Sequence, residues 1–325
     1  MTKQPLISII TCCYRSMPYL PDAIDSILQQ SFHDWELIVI YQTDGKHDDG
    51  GRAYLESLPF DKRIRVKFFD KPLGIVGAFN RGIALSRGKY ICPNPADDIS
   101  YPDRLKRCYD FLEQHPDYFM CCGSILLIDE AKQPLQEFIM PDGDSDSIKQ
   151  DLVARQLIST LGAMWRNKPK TYLRSAVEYA NDYDMLLNVM PHGKLKGLKN
   201  LTIKHRQHDG SSTIYAKEPM RLHHNLVRLS HLKRRAGKHD FLHDYATPIT
   251  DWQILFNHIN SPQERNMLYH DIKMAMQHTT DNKTRYIIIK NMGWYIFYKW
   301  IYHLLIKILR TIYRAMKKIV SIILK

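Results

Sequence analysis

The chain has 325 residues, 44% hydrophobic and 25% charged, enough for two domains, or one with a sizeable appendage, around a packed core. Its 46 Lys and Arg outnumber 34 Asp and Glu, a net charge of +12, which points to an anionic partner: nucleic acid, nucleotide phosphate or an acidic membrane surface. The six cysteines show no CxxC spacing and no His at zinc-finger distance, which excludes those metal patterns and suggests buried, reduced thiols in a cytosolic chain.

Leu6–Thr11 is a short, continuous, β-branched run, the pattern of a strand buried on both faces. The apolar stretch around it is too short for a secretory signal. Leu20, Ala23, Ile24, Ile27 and Leu28 then recur at helical spacing. Glu36–Tyr41 reads as a second buried strand, closed by the polar loop Thr43–Gly51 in which Asp48 and Asp49 are expected to be solvated. Ala53–Leu58 reads as a helix, Ile64–Phe69 as a third strand, Gly74–Gly88 as turn plus helix, and Lys89–Cys92 as a fourth strand. This alternation predicts an α/β fold with a doubly wound, mostly parallel sheet. Leu105–Leu112 is an expected helix, and Tyr118–Ile128 a strand expected to run antiparallel, because the turn-rich Asp142–Ser147 follows it. From Ile148 the pattern turns helical, through Leu161–Trp165 and a Val177–Val189 helix, before an expected edge strand at Leu198–Arg206. Met220–Arg235 reads as a helix closed by Gly237, its last turn carrying Lys233, Arg234 and Arg235 as the helix dipole favours. Composition shifts near residue 215, and no acid follows Asp281. The expected segments are 1–215, a helical extension over 216–282, and a basic region over 283–325.

Residues 80–105 carry the most chemistry. Here a strand runs directly into Asp97-Asp98 and then into a helix start at Pro102. Paired acids just past the carboxyl end of a strand lie where open α/β sheets place ligands, and they repel one another unless a cation is present. A hard divalent metal bridging to a diphosphate explains them. A solvated turn with Asp98 or Ser100 as helix N-cap explains them equally from local sequence alone.

The order of motifs is strand–Thr11-x-x-Tyr14–helix, strand–Asp44-Gly45, Asn80-x-Gly82, Asp97-Asp98, Asn181-Asp182, and Arg206-x-His208-x-x-Ser211. Over roughly residues 5–215 this resembles glycosyltransferase family 2, inverting enzymes with the GT-A nucleotide-sugar-binding fold. The resemblance implies that Thr11 and Tyr14 line the base pocket with Asp44, two residues later than the family's acidic loop. Asn80 would lie near the diphosphate. The family's Asp-x-Asp aligns on Pro95-Ala96-Asp97, so the first acid is missing; Asp97 would hold Mg2+ or Mn2+, and ribose contact would fall to Asp98 or backbone. Asn181-Asp182 stands where the family has Glu-Asp, which implies Asp182 as the general base. Arg206 and His208 would close over the diphosphate, with His205 where Tyr is usual.

After Asp281 ten Lys and Arg follow without an acid. Trp294, Phe297, Ile301, Leu304, Leu305, Ile308, Ile312, Ile319 and Ile323 recur at helical spacing opposite His303, Lys307, Arg310, Arg314, Lys317 and Lys318. No uncharged run reaches the ~18 residues of a spanning helix; the pattern is that of a helix lying in a membrane interface. Nucleic acid is a weaker partner, since a groove binder needs no apolar face. The expected activity is an inverting, metal-dependent, hexosyltransferase-like transfer from a nucleotide-sugar, by the family's habit a UDP-sugar, to a membrane-associated glycan or glycolipid, as in surface polysaccharide or lipopolysaccharide assembly. The expected location is peripheral, on the cytosolic face. The rival is an inactive nucleotide-sugar-binding or scaffolding protein. A Rossmann dinucleotide enzyme is disfavoured, because no GxGxxG follows the first strand.

Overall fold

The structure is a computed structural model that describes residues 4–47, 49–141, 160–169, 172–211, 216–279 and 281–292. The chain divides into two units, Met1–Pro248 and Ile249–Lys325.

The first unit is built on β1 (Ile7–Cys13), α1 (Leu20–Leu28), β2 (Trp35–Gln42), α2 (Gly51–Ser57), β3 (Ile64–Phe69), α3 (Gly74–Leu85) and β4 (Tyr90–Pro93). Strands β3, β2, β1 and β4 lie side by side in that order, all parallel. The alternation of side chains sorts the two faces. Ile7, Ile9 and Cys13 of β1, with Trp35, Leu37, Val39 and Tyr41 of β2, pack on Leu20, Ile24 and Ile27 of α1 and Leu55 of α2. Ile38 and Ile40 face the other way, onto Ala78 of α3. Gly82 lets α3 lie against β1, since a Cβ there would collide with Ile10. Helices therefore cover both faces, as expected of a doubly wound sheet.

Beyond β4 the chain gives β5 (Ile99–Ser100), α4 (Arg104–Gln114), β6 (Tyr118–Ile128), β7 (Pro134–Phe138), β8 (Ala163–Arg166), α5 (Asn181–Val189), β9 (Lys194–Arg206) and α6 (Lys217–Arg235). Among the described residues the sheet has nine strands, in the order β3-β2-β1-β4-β8-β6-β9-β5, with β7 on β6. Four expectations are corrected here. Leu161–Trp165 is not helical: Ala163–Arg166 forms β8, slotted antiparallel between β4 and β6. Because β8 is antiparallel to both, β6 runs with β1–β4 instead of against them. Strand β9 is not an edge, for it starts at Lys194 and pairs in parallel with β6 along its length, with β5 on its other side. The α4 helix starts at Arg104 with Asp103 at its N-cap, so neither Asp98 nor Ser100 caps it.

All six cysteines are free, and all but Cys12 are buried; burial pushes the Cys92 thiol up to about 11. Helix α6 ends as its sequence predicts, with Gly237 in the left-handed region at φ 67°. In the second unit, α7 (Trp252–Asn257) and α8 (Pro262–His278) precede a helix over 282–292. Ser261 and Glu264 close a capping box at the start of α8. The proposed interfacial helix beyond residue 292 lies outside the described residues.

Candidate active site

Strands β1–β4 are parallel, so the loops after them emerge at one edge of the sheet. The β1–α1 connection leads to β2 on one side, whereas α3 crosses the opposite face to deliver β4 on the other side of β1. The carboxyl ends of β1 and β4 thus form the switch point where open α/β sheets bind ligands. Asp49 and Asp97, on the loops either side, both lie close enough to Cys13 at the end of β1 to raise its thiol further beyond burial.

Asp97 and Asp98 follow β4, and the end of β9 supplies a histidine to each. His208 Nε2 lies 3.1 Å from Asp97 Oδ2, with the Asp97 side chain 29% exposed. His205 Nδ1 lies 2.9 Å from Asp98 Oδ1, and Arg206 N–H donates to the same oxygen at 3.0 Å. Asp98 is wholly buried, and among the described residues its Oδ2 has no hydrogen-bond partner. Burial pushes the Asp98 carboxyl up and His205 pulls it back. Burial also opposes charge on His205, but Asp98 lifts it above the ordinary imidazole range. The bond to Asp97 does the same for His208.

The resemblance implies a divalent cation here, and the pair Asp97–His208 fits one. At 3.1 Å the two side chains share a hydrogen bond; their carboxylate oxygen and imidazole nitrogen would become donors to the cation once His208 gives up its proton. Among the described residues no group of three or more His, Cys, Asp or Glu side chains is arranged for a metal. Mg2+ and Mn2+ accept one or two protein donors completed by water and phosphate oxygens.

Arg206, expected over a diphosphate, is instead 1% exposed and engaged by the protein. Its guanidinium donates to the Asp97 carbonyl at 3.0 Å, the Glu130 carbonyl at 2.9 Å and Asp22 Oδ2 at 2.8 Å, and lies 4.9 Å over the Tyr19 ring. It fixes the Asp97 loop to α1 and β9 rather than reaching outward. Tyr19, at the end of the β1–α1 loop, also packs its ring 4.6 Å from His208. Neither Tyr19 nor Asp22 was marked by sequence, because both act through partners almost two hundred residues away.

Asn80 also serves the scaffold: its side-chain amide pairs both ways with the backbone of Leu173, at 2.8 Å each. Nearby, Glu178 accepts the Ile75 N–H at the start of α3. Asp182 sits in the first turn of α5, half-buried, where its Oδ1 accepts the Tyr183 N–H at 2.8 Å. Asp184 is buried and ion-paired to Arg174, which also pairs with Asp240, so it is structural.

On the β2 side, Thr11 is buried within β1, its hydroxyl without a partner among the described residues, whereas Tyr14 is 42% exposed just past the strand. Asp44 is held by four donors. Lys46 N and His47 N bond Oδ1 at 3.0 and 2.9 Å, and Arg15 Nη2 and His47 Nδ1 bond Oδ2 at 2.9 and 3.1 Å. Backbone N–H groups, above all that of Lys46, hold its carboxyl well below the usual range. Asp49 is not simply solvated, since it bonds Met17 N at 2.9 Å, Gly51 N at 3.0 Å and the Tyr41 hydroxyl at 3.1 Å. Asp48 lies outside the described residues.

Residues 8–150 match the sequence model described as glycosyl transferase family 2. An uncharacterized glycosyltransferase of Haemophilus influenzae is 28% identical over 231 residues, 67% of this chain and 71% of that one. A candidate teichuronic acid biosynthesis glycosyltransferase of Bacillus subtilis, TuaG, is 30% identical over 137 residues, 42% of this chain and 53% of that one. The Staphylococcus aureus TarS structure, residues 1–349 with UDP-GlcNAc, superposes with a TM-score of 0.52 at 14% identity, covering 84% of this chain and 81% of that 1–349 chain. That likeness shows a shared GT-A-like fold. Fold and matches together define a glycosyltransferase. Over residues 8–150 the chain is similar to glycosyltransferase family 2.

Proposed function

We propose that the protein is an inverting, metal-dependent glycosyltransferase that passes a sugar from a UDP-sugar to a hydroxyl of a membrane-associated glycan or glycolipid. The observation that carries this reading is the pair formed by Asp97, on the loop after β4 at the switch point of the sheet, and His208, just past β9. Asp97 and His208 would hold Mg2+ or Mn2+. When bound, the cation neutralises charge on the leaving diphosphate. Arg206 keeps the Asp97 loop in place by bonding its backbone. Tyr14 lies on the base side, next to the β2 loop. Asp182 takes the proton of the attacking hydroxyl, as inversion requires of a carboxylate on the face opposite the leaving group.

The donor class is supported by the family match and by a like-folded structure that contains UDP-GlcNAc. The acceptor class is supported by the relative's named role in teichuronic acid biosynthesis and by the acid-free tail. The test is turnover of a panel of UDP-, GDP- and dTDP-sugars with and without manganese, following the anomeric configuration of the product. A retained configuration, or equal turnover without a metal, would overturn the mechanism; nucleotide binding without turnover would leave a binding or scaffolding protein.

A further inference from the structure

We propose that Arg15, positioned by Asp44, is the group that the end of β1 presents to the nucleoside of the donor. This rests on the donor reading above and inverts the roles expected from sequence, where Asp44 was the base contact. Each oxygen of the Asp44 carboxylate already has two partners, the Lys46 and His47 N–H groups on Oδ1 and Arg15 Nη2 and His47 Nδ1 on Oδ2. Arg15, by contrast, is 54% exposed, and among the described residues its Nε and Nη1 have no partner.

The backbone singles out the same residue. Arg15 has φ of 51°, in the left-handed region, a strained conformation for a non-glycine residue. A solvent-exposed Arg–Asp pair is too weak to impose it alone. Hydrogen bonds on both sides impose it: Tyr14 N–H to the Ser16 hydroxyl at 3.0 Å, and Met17 N–H to Asp49 at 2.9 Å. The result aims the guanidinium across the end of the strand, 5.3 Å over the Tyr14 ring. An aromatic ring beside a planar cation with unused N–H donors suits a flat heterocycle bearing carbonyl acceptors.

Position selects the nucleoside over the diphosphate. The β1–α1 loop begins at the Arg15–Asp44 pair, on the β2 side, and ends at Tyr19, which packs on His208 beside Asp97. A nucleotide with its diphosphate at Asp97–His208 would lie along that loop with its base at Arg15.

The test is Arg15→Asn, which removes the guanidinium but tolerates the left-handed backbone, with Arg15→Gly as a second variant free of strain. Calorimetric titration of UMP and of UDP, each with manganese, should show both ligands weakened by the same factor, roughly tenfold, the scale of one charge-assisted hydrogen bond. The KM for the UDP-sugar should rise by a similar factor with kcat within about threefold, and the thermal midpoint should not fall. Unchanged UMP affinity overturns the proposal, as does a loss confined to UDP, which would place Arg15 at the diphosphate. If the wild-type protein binds neither nucleotide, the donor reading fails first and this one with it.

Discussion

At the scale of single residues, two carboxylates at the site have separable roles. Asp97 sits on a loop, is partly exposed and bonds through its side chain to His208, so its loss should not unfold the protein. Asp97→Ala should lower manganese-dependent affinity for UDP at least tenfold with little change in thermal midpoint. Equal UDP affinity in mutant and wild type, with manganese present, would remove the metal from Asp97. Asp182→Asn keeps size and hydrogen-bonding reach, so donor binding should persist while kcat drops by roughly 10² or more. Turnover near the wild-type rate would make Asp182 a helix-start residue and put the base elsewhere. Arg206 and Asn80 stand apart from both. Sequence order put them at the diphosphate, but their polar atoms hold backbone carbonyls and amides, a distinction that appears only once partners distant in sequence are in place. Arg15 escaped notice for another reason, since an arginine gives no local sign of a left-handed backbone, as a Gly or Asn would.

At the scale of elements, the parallel strands were legible from their apolar runs, almost wholly buried in β1 and β2 and interrupted by Arg65 and Lys67 in the half-exposed β3. Ile64–Phe69 is the third strand as read, and β1, β2 and β4 differ by a residue or two at their ends. Ala163–Arg166 carries no such signature. It becomes a strand because a slot exists between β4 and β6, elements that sequence reasoning had no means to bring together. The misread direction of β6 follows from that one omission. Glu36 of β2 shows how the parallel core is locked at its other edge. Its buried carboxylate binds the Ser8 hydroxyl at 2.7 Å, Arg65 Nη1 at 2.8 Å and Arg87 Nη2 at 2.7 Å, joining β1, β2, β3 and the end of α3. Burial works against the ionised form, but Ser8, Arg87 and Arg65 more than offset it, so the folded value lies below the ordinary one. A depressed carboxylate contributes stability that is fully present above its unfolded value, about 4.3, and is lost as pH falls through the lower folded value. Glu36→Gln should therefore cost about 1–3 kcal/mol at neutral pH and make urea stability fall less steeply on acidification below about pH 4.5. A mutant whose acid limb is as steep as that of the wild type would show that Glu36 does not titrate in this way.

For the whole molecule, the question is what the excess of positive charge is for. The net charge of +12 includes ten Lys and Arg after Asp281 with no acid among them. Where the described residues reach into this segment, at 282–292, Ile288 and Met292 are buried, while Tyr286 and Ile289 are 65% and 51% exposed. Among the described residues no helix is long and apolar enough to cross a membrane. The remaining pattern, bulky apolar residues on one helical face and cations on the other, suits an interfacial helix in which each cation near an anionic leaflet adds on the order of 1 kcal/mol. Because Ile288 and Met292 are buried, the cut that tests this falls after Met292 and not earlier. Full-length protein should sediment with vesicles containing phosphatidylglycerol and be partly released by high salt, since screening weakens the cationic attraction and leaves the apolar contact. Protein ending at Met292 should stay in the supernatant, keep its thermal transition, and retain activity on a soluble acceptor analogue while losing activity on a vesicle-borne one. If the shortened chain aggregates or loses its transition, the tail completes a fold or an oligomer instead, and the membrane assignment is wrong.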